Sequence, residues 1–217
     1  MLVDKYDYFL FDWDGCLAKT LEAWLDAYRH TFALYGKTPS DAEIAHYLGD
    51  YLIGSYFGVE DAEQFNIQTV DYARENLKTV DLYEDALDTL TELKKIKKLA
   101  LVSSGSKDIV YTGLRHNSIE HLFDIIITGD DVENHKPHPE ALEIAMAHIG
   151  GIKEKAIMIG DSNKDIGAAT NYGIDSVLVF PQSHSLFYDL QSLQDLKPTY
   201  TITSFTEFSA QPLQPQP

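Results

Sequence analysis

Five short apolar runs punctuate this 217-residue chain: YFLF at 8–11, LALVS at 99–103, FDIIIT at 123–128, AIMIG at 156–160 and SVLVF at 176–180. Each is bounded by Gly, Ser or Asp, as strands buried on both faces require. Helical periodicity separates them, with Ala86, Leu90 and Leu93 ahead of the second run and Leu142, Ala145 and Ile149 ahead of the paired glycines 150 and 151. Strands that alternate with helices through right-handed crossovers give an α/β fold with a doubly wound parallel sheet, here with five central strands.

Residues 18–83 break that rhythm. Leu21, Trp24, Leu25, Tyr28 and Phe32 recur at helical spacing up to Gly36, and Ser40 with Glu43 forms a capping box for a second helix expected to end at Gly49. Ile67, Val70 and Leu77 mark a third helix. With no strand run among them, the segment reads as an all-helical insert, so that residues 1–17 and 84–208 form the α/β core. The tail from Ser209 (SAQPLQPQP) has no apolar periodicity and is expected to be disordered.

Charge narrows the function classes. Seventeen Lys and Arg against thirty-four Asp and Glu give a net charge of −17, which disfavours nucleic acid and anionic membrane as partners. The amino-terminal MLVDKYDYFLF interrupts its apolar residues with Asp4, Lys5 and Asp7, so it reads as neither an export signal nor a span, and a cytoplasmic location is expected. The single Cys16 excludes an internal disulfide and suits a reducing compartment.

The polar residues gather at the strand ends. Asp12 and Asp14 follow the first run, Ser103 closes the second, and Asp161 follows the fourth in AIMIGDSNKD. In an open α/β sheet, ligands bind beyond the carboxyl ends of the strands near the point where strand order reverses. Three polar clusters are thereby brought to one edge, and Lys136 in HKPHPEAL joins them. Any one Asp after a strand is an ordinary turn or helix cap. Two carboxylates on one tight turn, with further charged groups converging on it, call for a metal or phosphoryl site instead.

Four stretches in this order resemble the motifs of the haloacid dehalogenase superfamily: DWDGCL, LVSSGS, Lys136 in KPHPEA, and GDSNKDIGAATNYG. The helical insert falls where the superfamily's phosphatase branch carries its cap, and the likeness runs to about residue 208. The resemblance implies a Rossmann-like core and a phosphatase that hydrolyses a small-molecule phosphate monoester through an aspartyl-phosphate on Asp12. It implies Mg²⁺ held by the Asp12 side chain, the Asp14 backbone carbonyl and Asp161, with Asp165 close by or acting through water. Asp14 would protonate the leaving alcohol and deprotonate the attacking water. Lys136 would add positive charge, while Ser103 and the backbone around Trp13, Asp14, Ser104 and Gly105 would hold the phosphoryl oxygens. Hard oxygen ligands and an anion-on-anion attack both suit Mg²⁺.

Plainer readings stand beside these. Asp165 could complement a helix terminus, Ser103 could start a turn, and Trp13 and Cys16 could pack or wall the pocket. Cys16 stands where the superfamily has Thr, and it lacks the arginine six residues on that a thiol phosphatase needs, since that residue is Glu22. His135, His138, His116 and His121 have no third partner and read as surface or loop residues. Rival functions are a dehalogenase, a phosphomutase of the β-phosphoglucomutase type, a phospho-receiver module, and a binding protein that has lost activity. Asp14 argues against the dehalogenase, because a halide leaving group needs no acid, and the helical insert argues against the receiver. In the superfamily the loop after the second cap helix faces the leaving group. Here that loop, LGDYLIGSYFGVED at 48–61, offers Asp50, Tyr51, Ser55, Tyr56 and Phe57 but no Lys, Arg or His, and Lys37 and Lys78 are distant from it in sequence. Its composition predicts a substrate with one phosphate on a neutral or hydroxylated body.

Overall fold

The computed structural model describes residues 2–48 and 50–210. The chain runs through α1 (Leu2–Lys5), β1 (Tyr8–Phe11), α2 (Thr20–Leu34), α3 (Asp41–His46), α4 (Ile53–Tyr56), α5 (Ala62–Leu77), α6 (Ala86–Lys94), β2 (Lys98–Val102), α7 (Lys107–His116), β3 (Ile125–Ile127), α8 (Glu140–Ile149), β4 (Ala156–Gly160), α9 (Asn163–Tyr172), β5 (Asp175–Val179), α10 (Leu190–Gln194), β6 (Tyr200–Ile202) and α11 (Glu207–Ala210). The six strands form one parallel sheet in the order β3-β2-β1-β4-β5-β6.

Alternation along each strand divides the core between the two faces of the sheet. Phe9 and Phe11 of β1, Leu99 and Leu101 of β2, and Ile157 and Ile159 of β4 pack with residues of α6, α7 and α11. The intervening Leu10, Ala100, Val102 and Met158 face α8 and α9. Both sets are buried, which is why the runs read as continuously apolar.

Register then aims the chain ends. Phe11 lies opposite Leu101 on one side and Ile159 on the other. Asp12 therefore leaves the sheet level with Val102 and Gly160, and its amide donates to the Ile159 carbonyl at 2.8 Å. The chain goes outward from β1 through β2 to β3 and then returns to place β4 on the opposite side of β1, so the strand order reverses between β1 and β4.

Helices α2 to α5 form the inserted cap over an aromatic core of their own, in which Leu25, Tyr28, Phe32, Ile44, Ile53, Val59 and Phe65 are buried. Ser40 and Glu43 make the expected reciprocal capping box at the start of α3. Two chain segments cross between core and cap side by side: Ala18 pairs with Leu82 in an antiparallel bridge, and Lys19 and Tyr83 donate to the carbonyls of Asp81 and Leu17.

Four expectations need correction. The sheet has a sixth strand, β6, whose three residues YTI are too short and too polar to stand out as an apolar run. Helix α5 turns Phe65, Thr69, Ala73 and Leu77 inward, whereas Ile67 and Val70 are exposed. The short helix α4 interrupts what read as a loop. Helix α3 stops at His46, and the expected end at Gly49 lies outside the described residues. As for the tail, Ser209 and Ala210 complete α11, and residues 211–217 lie outside the described residues.

The last described turn anchors the sheet. Phe208 is buried and its ring lies 6.3 Å from those of Phe9 and Phe11 and 5.9 Å from that of Phe205. Truncation of Phe208 to Ala is expected to cost about 3–5 kcal/mol of stability in urea denaturation. A loss under about 1 kcal/mol would show that this aromatic stack does not support the sheet.

Candidate active site

The polar residues meet at the reversal point of the sheet. Lys136, in the loop before α8, is buried, and its ammonium donates to Asp12 Oδ1 at 2.7 Å, Asp165 Oδ1 at 2.6 Å and the Val102 carbonyl at 3.0 Å. Asp165 is the third residue of α9. Its Oδ2 accepts from the Ser162 amide and hydroxyl, closing the capping box of that helix. Both oxygens of Asp165 are thus engaged, one at a helix end and one on Lys136.

On the other side of Asp12 the tight turn carries Asp14. Ser103 Oγ donates to Asp14 Oδ2 at 3.4 Å and accepts from the Gly105 amide at 2.9 Å. Gly105 has no room to spare, because a Cβ there would lie 3.1 Å from both Asp14 Oδ2 and Ser103 Oγ. The Gly15 amide donates to Thr20 Oγ1 at 2.9 Å, which ties the turn that carries Asp14 to the start of α2.

Asp161 is 1% exposed, and among the described residues its Oδ2 is buried without a hydrogen-bond partner. A buried carboxylate oxygen left unpaired is costly. Gly15 makes room for it: its φ of +72° is the left-handed region that glycine tolerates, and a Cβ there would stand 2.3 Å from Asp161 Oδ2. Carboxylate oxygens of Asp12, Asp161 and Asp165 lie within 4.8 Å of one another. Four carboxylates, Asp12, Asp14, Asp161 and Asp165, thus share a buried site with one ammonium, Lys136. Hard oxygen donors, an orphaned buried oxygen and a surplus of negative charge together fit a small divalent cation.

The electrostatics follow from that imbalance. Burial, with the Asp165 charge beside it, pushes the Asp12 carboxyl up to about 7. Burial likewise raises Asp14 and Asp161, and in Asp161 the charges of Asp165 and Asp12 add to it. Burial alone would lower Lys136, but the Asp12 and Asp165 carboxylates more than reverse this and hold it protonated. Cys16, fully buried, is driven well above the usual thiol range by burial and by the Asp12 charge, so it is no nucleophile.

Comparison with known proteins agrees with this arrangement. The profile of haloacid dehalogenase-like hydrolases matches residues 9–179. The chain belongs to that family. A pyrophosphatase, PpaX, of Bacillus pumilus (strain SAFR-032) is 35% identical over 163 residues, covering 72% of this chain and 75% of its own length. A haloacid dehalogenase-like hydrolase structure from Bacteroides fragilis superposes with a TM-score of 0.77 at 29% identity, over 94% of this chain and all of that one. The fold is shared as well with a predicted phosphoglycolate phosphatase of Haemophilus somnus, with a TM-score of 0.81 at 22% identity over 94% and 96% of the two chains.

In this family member the structure brings together Asp12, Asp14, Ser103, Gly105, Lys136, Asp161 and Asp165. Trp13 and Cys16 are fully buried in the core face of the sheet. Ser104 is exposed beside them, and its carbonyl would lie 2.5 Å from a Cβ at Gly129. The cap residues are engaged elsewhere. Asp50 accepts from the Leu52 amide and the Tyr56 hydroxyl, and the exposed Tyr51 gives its carbonyl to Asn66. Among the described residues, no hydrogen bond of either reaches the carboxylates. Lys37, distant in sequence from the 48–61 loop, folds against it, with its Nζ 3.2 Å from where a Cβ at Gly58 would stand. The histidines 116, 121, 135 and 138 are all exposed.

Two residues near the carboxylates escaped the sequence reading. Thr20 gave a weak signal, as a hydroxyl at the start of a helix six residues past Asp14. Tyr188 gave none: it lies in an irregular loop after β5 and packs with Ile166, Leu178 and Phe180, where burial and the nearby Asp161 charge push its hydroxyl up.

The raised Asp12 carboxyl has a consequence for the cation-free protein. Its ordinary value is 3.8 and its folded value about 7, so it favours folding while protonated, and that contribution fades as pH rises through 7. In chelator, Asp12→Asn is therefore expected to melt several degrees above wild type at pH 8, with the gap narrowing at pH 5. Parallel Tm profiles for the two proteins across this range would show that Asp12 is not the strained charge.

Proposed function

We propose that the protein is a Mg²⁺-dependent phosphatase of small-molecule phosphate monoesters, with Asp12 as nucleophile. The observation that carries this reading is the buried Lys136 ammonium bridging Asp12 and Asp165 where the strand order reverses, with Asp14 on one side and the orphaned Asp161 oxygen on the other. Asp12, the Asp14 carbonyl and Asp161 would hold the cation, with Asp165 behind them. When bound, Mg²⁺ supplies positive charge that offsets the carboxylates and the phosphoryl oxygens.

An Asp12 carboxylate oxygen bonds to phosphorus as the bond to the leaving oxygen breaks, and Asp14 gives that oxygen a proton. Water then attacks phosphorus and surrenders a proton to Asp14, the phosphorus bond to Asp12 breaks, and inorganic phosphate departs with both aspartates restored. Lys136 holds the nucleophile in place and offsets its charge. The Ser103 hydroxyl and the amide of Gly105 are set to steady the acid turn and the phosphoryl oxygens. Burial keeps Asp14 more basic than a surface carboxylate, as a proton donor near neutral pH requires.

Two substitutions test the roles. Asp12→Asn should lower kcat at least about a thousandfold while the circular dichroism spectrum is retained. Asp14→Asn should cost about a hundred- to ten-thousandfold on alkyl phosphates and much less on an activated aryl phosphate, whose leaving group needs little protonation. Equal losses on both substrates would make Asp14 a structural residue.

For the substrate, the 48–61 loop supports one phosphate on a neutral or hydroxylated body, since it carries no cation of its own. A second reading, inorganic pyrophosphate, is favoured by the name of the 35% identical relatives. A hydrolysis screen with Mg²⁺ and with chelator separates them. A sugar phosphate or nucleoside monophosphate should lead it in kcat/KM, and a more than tenfold lead for pyrophosphate, phosphoglycolate or a sugar bisphosphate defeats the neutral-body reading. Full activity in chelator defeats the metal.

A further inference from the structure

The stretch SSGS at 103–106, which carries Ser103 and Gly105, has little packing to hold it. Ser104, Ser106 and Lys107 are exposed, and the helix that follows, α7, begins without a side-chain cap from Ser106. A helix start leaves amide groups in need of partners, and glycine leaves the backbone more freedom than any other residue. The order of this loop is supplied from outside it.

Its source is the turn after β3, TGDD at 128–131. Asp130 Oδ2 accepts from the Lys107 amide at 2.7 Å, and Asp131 Oδ1 accepts from the Lys107 ammonium at 3.2 Å. Gly129 lies against the loop itself. Its amide donates to the Gly105 carbonyl at 2.8 Å, and a Cβ on it would stand 2.5 Å from the Ser104 carbonyl oxygen. The turn is braced in its own right, because Asp131 Oδ2 accepts from the Thr128 amide at 2.9 Å and the Thr128 hydroxyl at 2.6 Å. From Gly105 the bonds continue to Ser103 Oγ and on to Asp14. The segment after the turn runs on to Lys136, and Glu140 fixes it by accepting from the Glu133 and Asn134 amides at 2.8 and 3.0 Å.

We propose that Asp130 is a positioning residue for the phosphoryl site, with Gly129 as the contact that transmits its placement. Together they set the spacing between the 103–105 loop on one side and Lys136 on the other. The inference rests on the phosphatase reading given above. Donors that stabilise developing charge work because they are already in place when the reaction starts, and a misplacement of about 1 Å can cost about a hundredfold. Asp130 is itself exposed and bonds the start of α7, so its effect passes through the loop.

The test compares wild type, Asp130→Asn, Asp130→Ala and Gly129→Ala as full chains with Mg²⁺. Para-nitrophenyl phosphate is the substrate, inorganic phosphate the competitive inhibitor, and hydrogen exchange is followed at the Gly105 amide. Asp130→Asn keeps an oxygen for the Lys107 amide and should hold kcat/KM within about threefold, whereas Asp130→Ala should lose about ten- to a hundredfold. In Asp130→Ala the inhibition constant of phosphate should rise and Gly105 should exchange faster, with Tm lowered by no more than about 4 °C, the scale of one lost cap. Gly129→Ala should show the same loss of rate and faster exchange, since it displaces the loop at the second contact. Wild-type kcat/KM and Gly105 exchange in Asp130→Ala overturn the inference. So does an equal loss in Asp130→Asn and Asp130→Ala, which assigns the effect to charge. A loss that comes with a fall in Tm of more than about 10 °C assigns Asp130 to overall stability and overturns it too. A wild-type protein that leaves the aryl phosphate intact fails the phosphatase reading, and Gly105 exchange in the variants then decides the positioning by itself.

Discussion

A buried ammonium between two buried carboxylates is the contact around which this molecule is arranged. Taking Lys136, Asp12 and Asp165 out of water is expensive, and attraction among them recovers the cost only if every partner is in place. The fold supplies those partners from different parts of the chain. Asp12 comes from the end of β1, Asp165 from the first turn of α9, the Val102 carbonyl from the end of β2, and Lys136 from the loop before α8. Removing the ammonium from such a set typically costs about 3–5 kcal/mol, because Asp12 and Asp165 are then left buried without their counter-charge. The register of β1 between β2 and β4 is thus tied to the chemistry, since a slip of one residue would turn Asp12 toward the other face of the sheet.

The same contact leaves charge over. Three carboxylates besides Asp12 surround one ammonium, and the protein alone does not neutralise them. Asp161 shows where the deficit falls, with one oxygen buried and unpaired in a space that only a glycine at position 15 keeps open. A fold of the usual marginal stability retains such a defect where function requires it. The two-faced core around Phe9, Phe11, Leu10 and Met158 is what tolerates it.

Most of this was legible in the sequence because the relevant signals are local. A strand buried on both faces must be apolar throughout, so YFLF and AIMIG announce themselves, and the Asp that follows each marks the sheet edge. Gly150, with positive φ, ends α8 where the paired glycines stand. What escaped depends on contacts distant in sequence. β6 pairs only at the sheet edge and needs little apolar character. Helix α5 lies against α2 along Thr69 and Ala73, small residues that carry little hydrophobic signal, so the larger Ile67 and Val70 suggested the wrong face. Lys37 reaches the cap loop, and Tyr188 its place against Ile166 and Leu178, only through tertiary packing that no spacing encodes.

Cap and nucleophile turn are also joined by a short route. The Asp14 turn is bonded to the start of the cap: Gly15 donates to the Ala18 carbonyl at 3.0 Å and to Thr20 Oγ1 at 2.9 Å, and Thr20 is the first residue of α2. Ala18 in turn pairs with Leu82 on the returning segment. The cap is therefore tied through Ala18 and Thr20 to the turn that carries Asp14. A group meant to hand a proton to a leaving oxygen must be within about 3 Å of it in the reacting complex. If Asp14 is the proton donor of the proposed phosphatase, its bonds to the start of the cap would couple that distance to the placement of the cap.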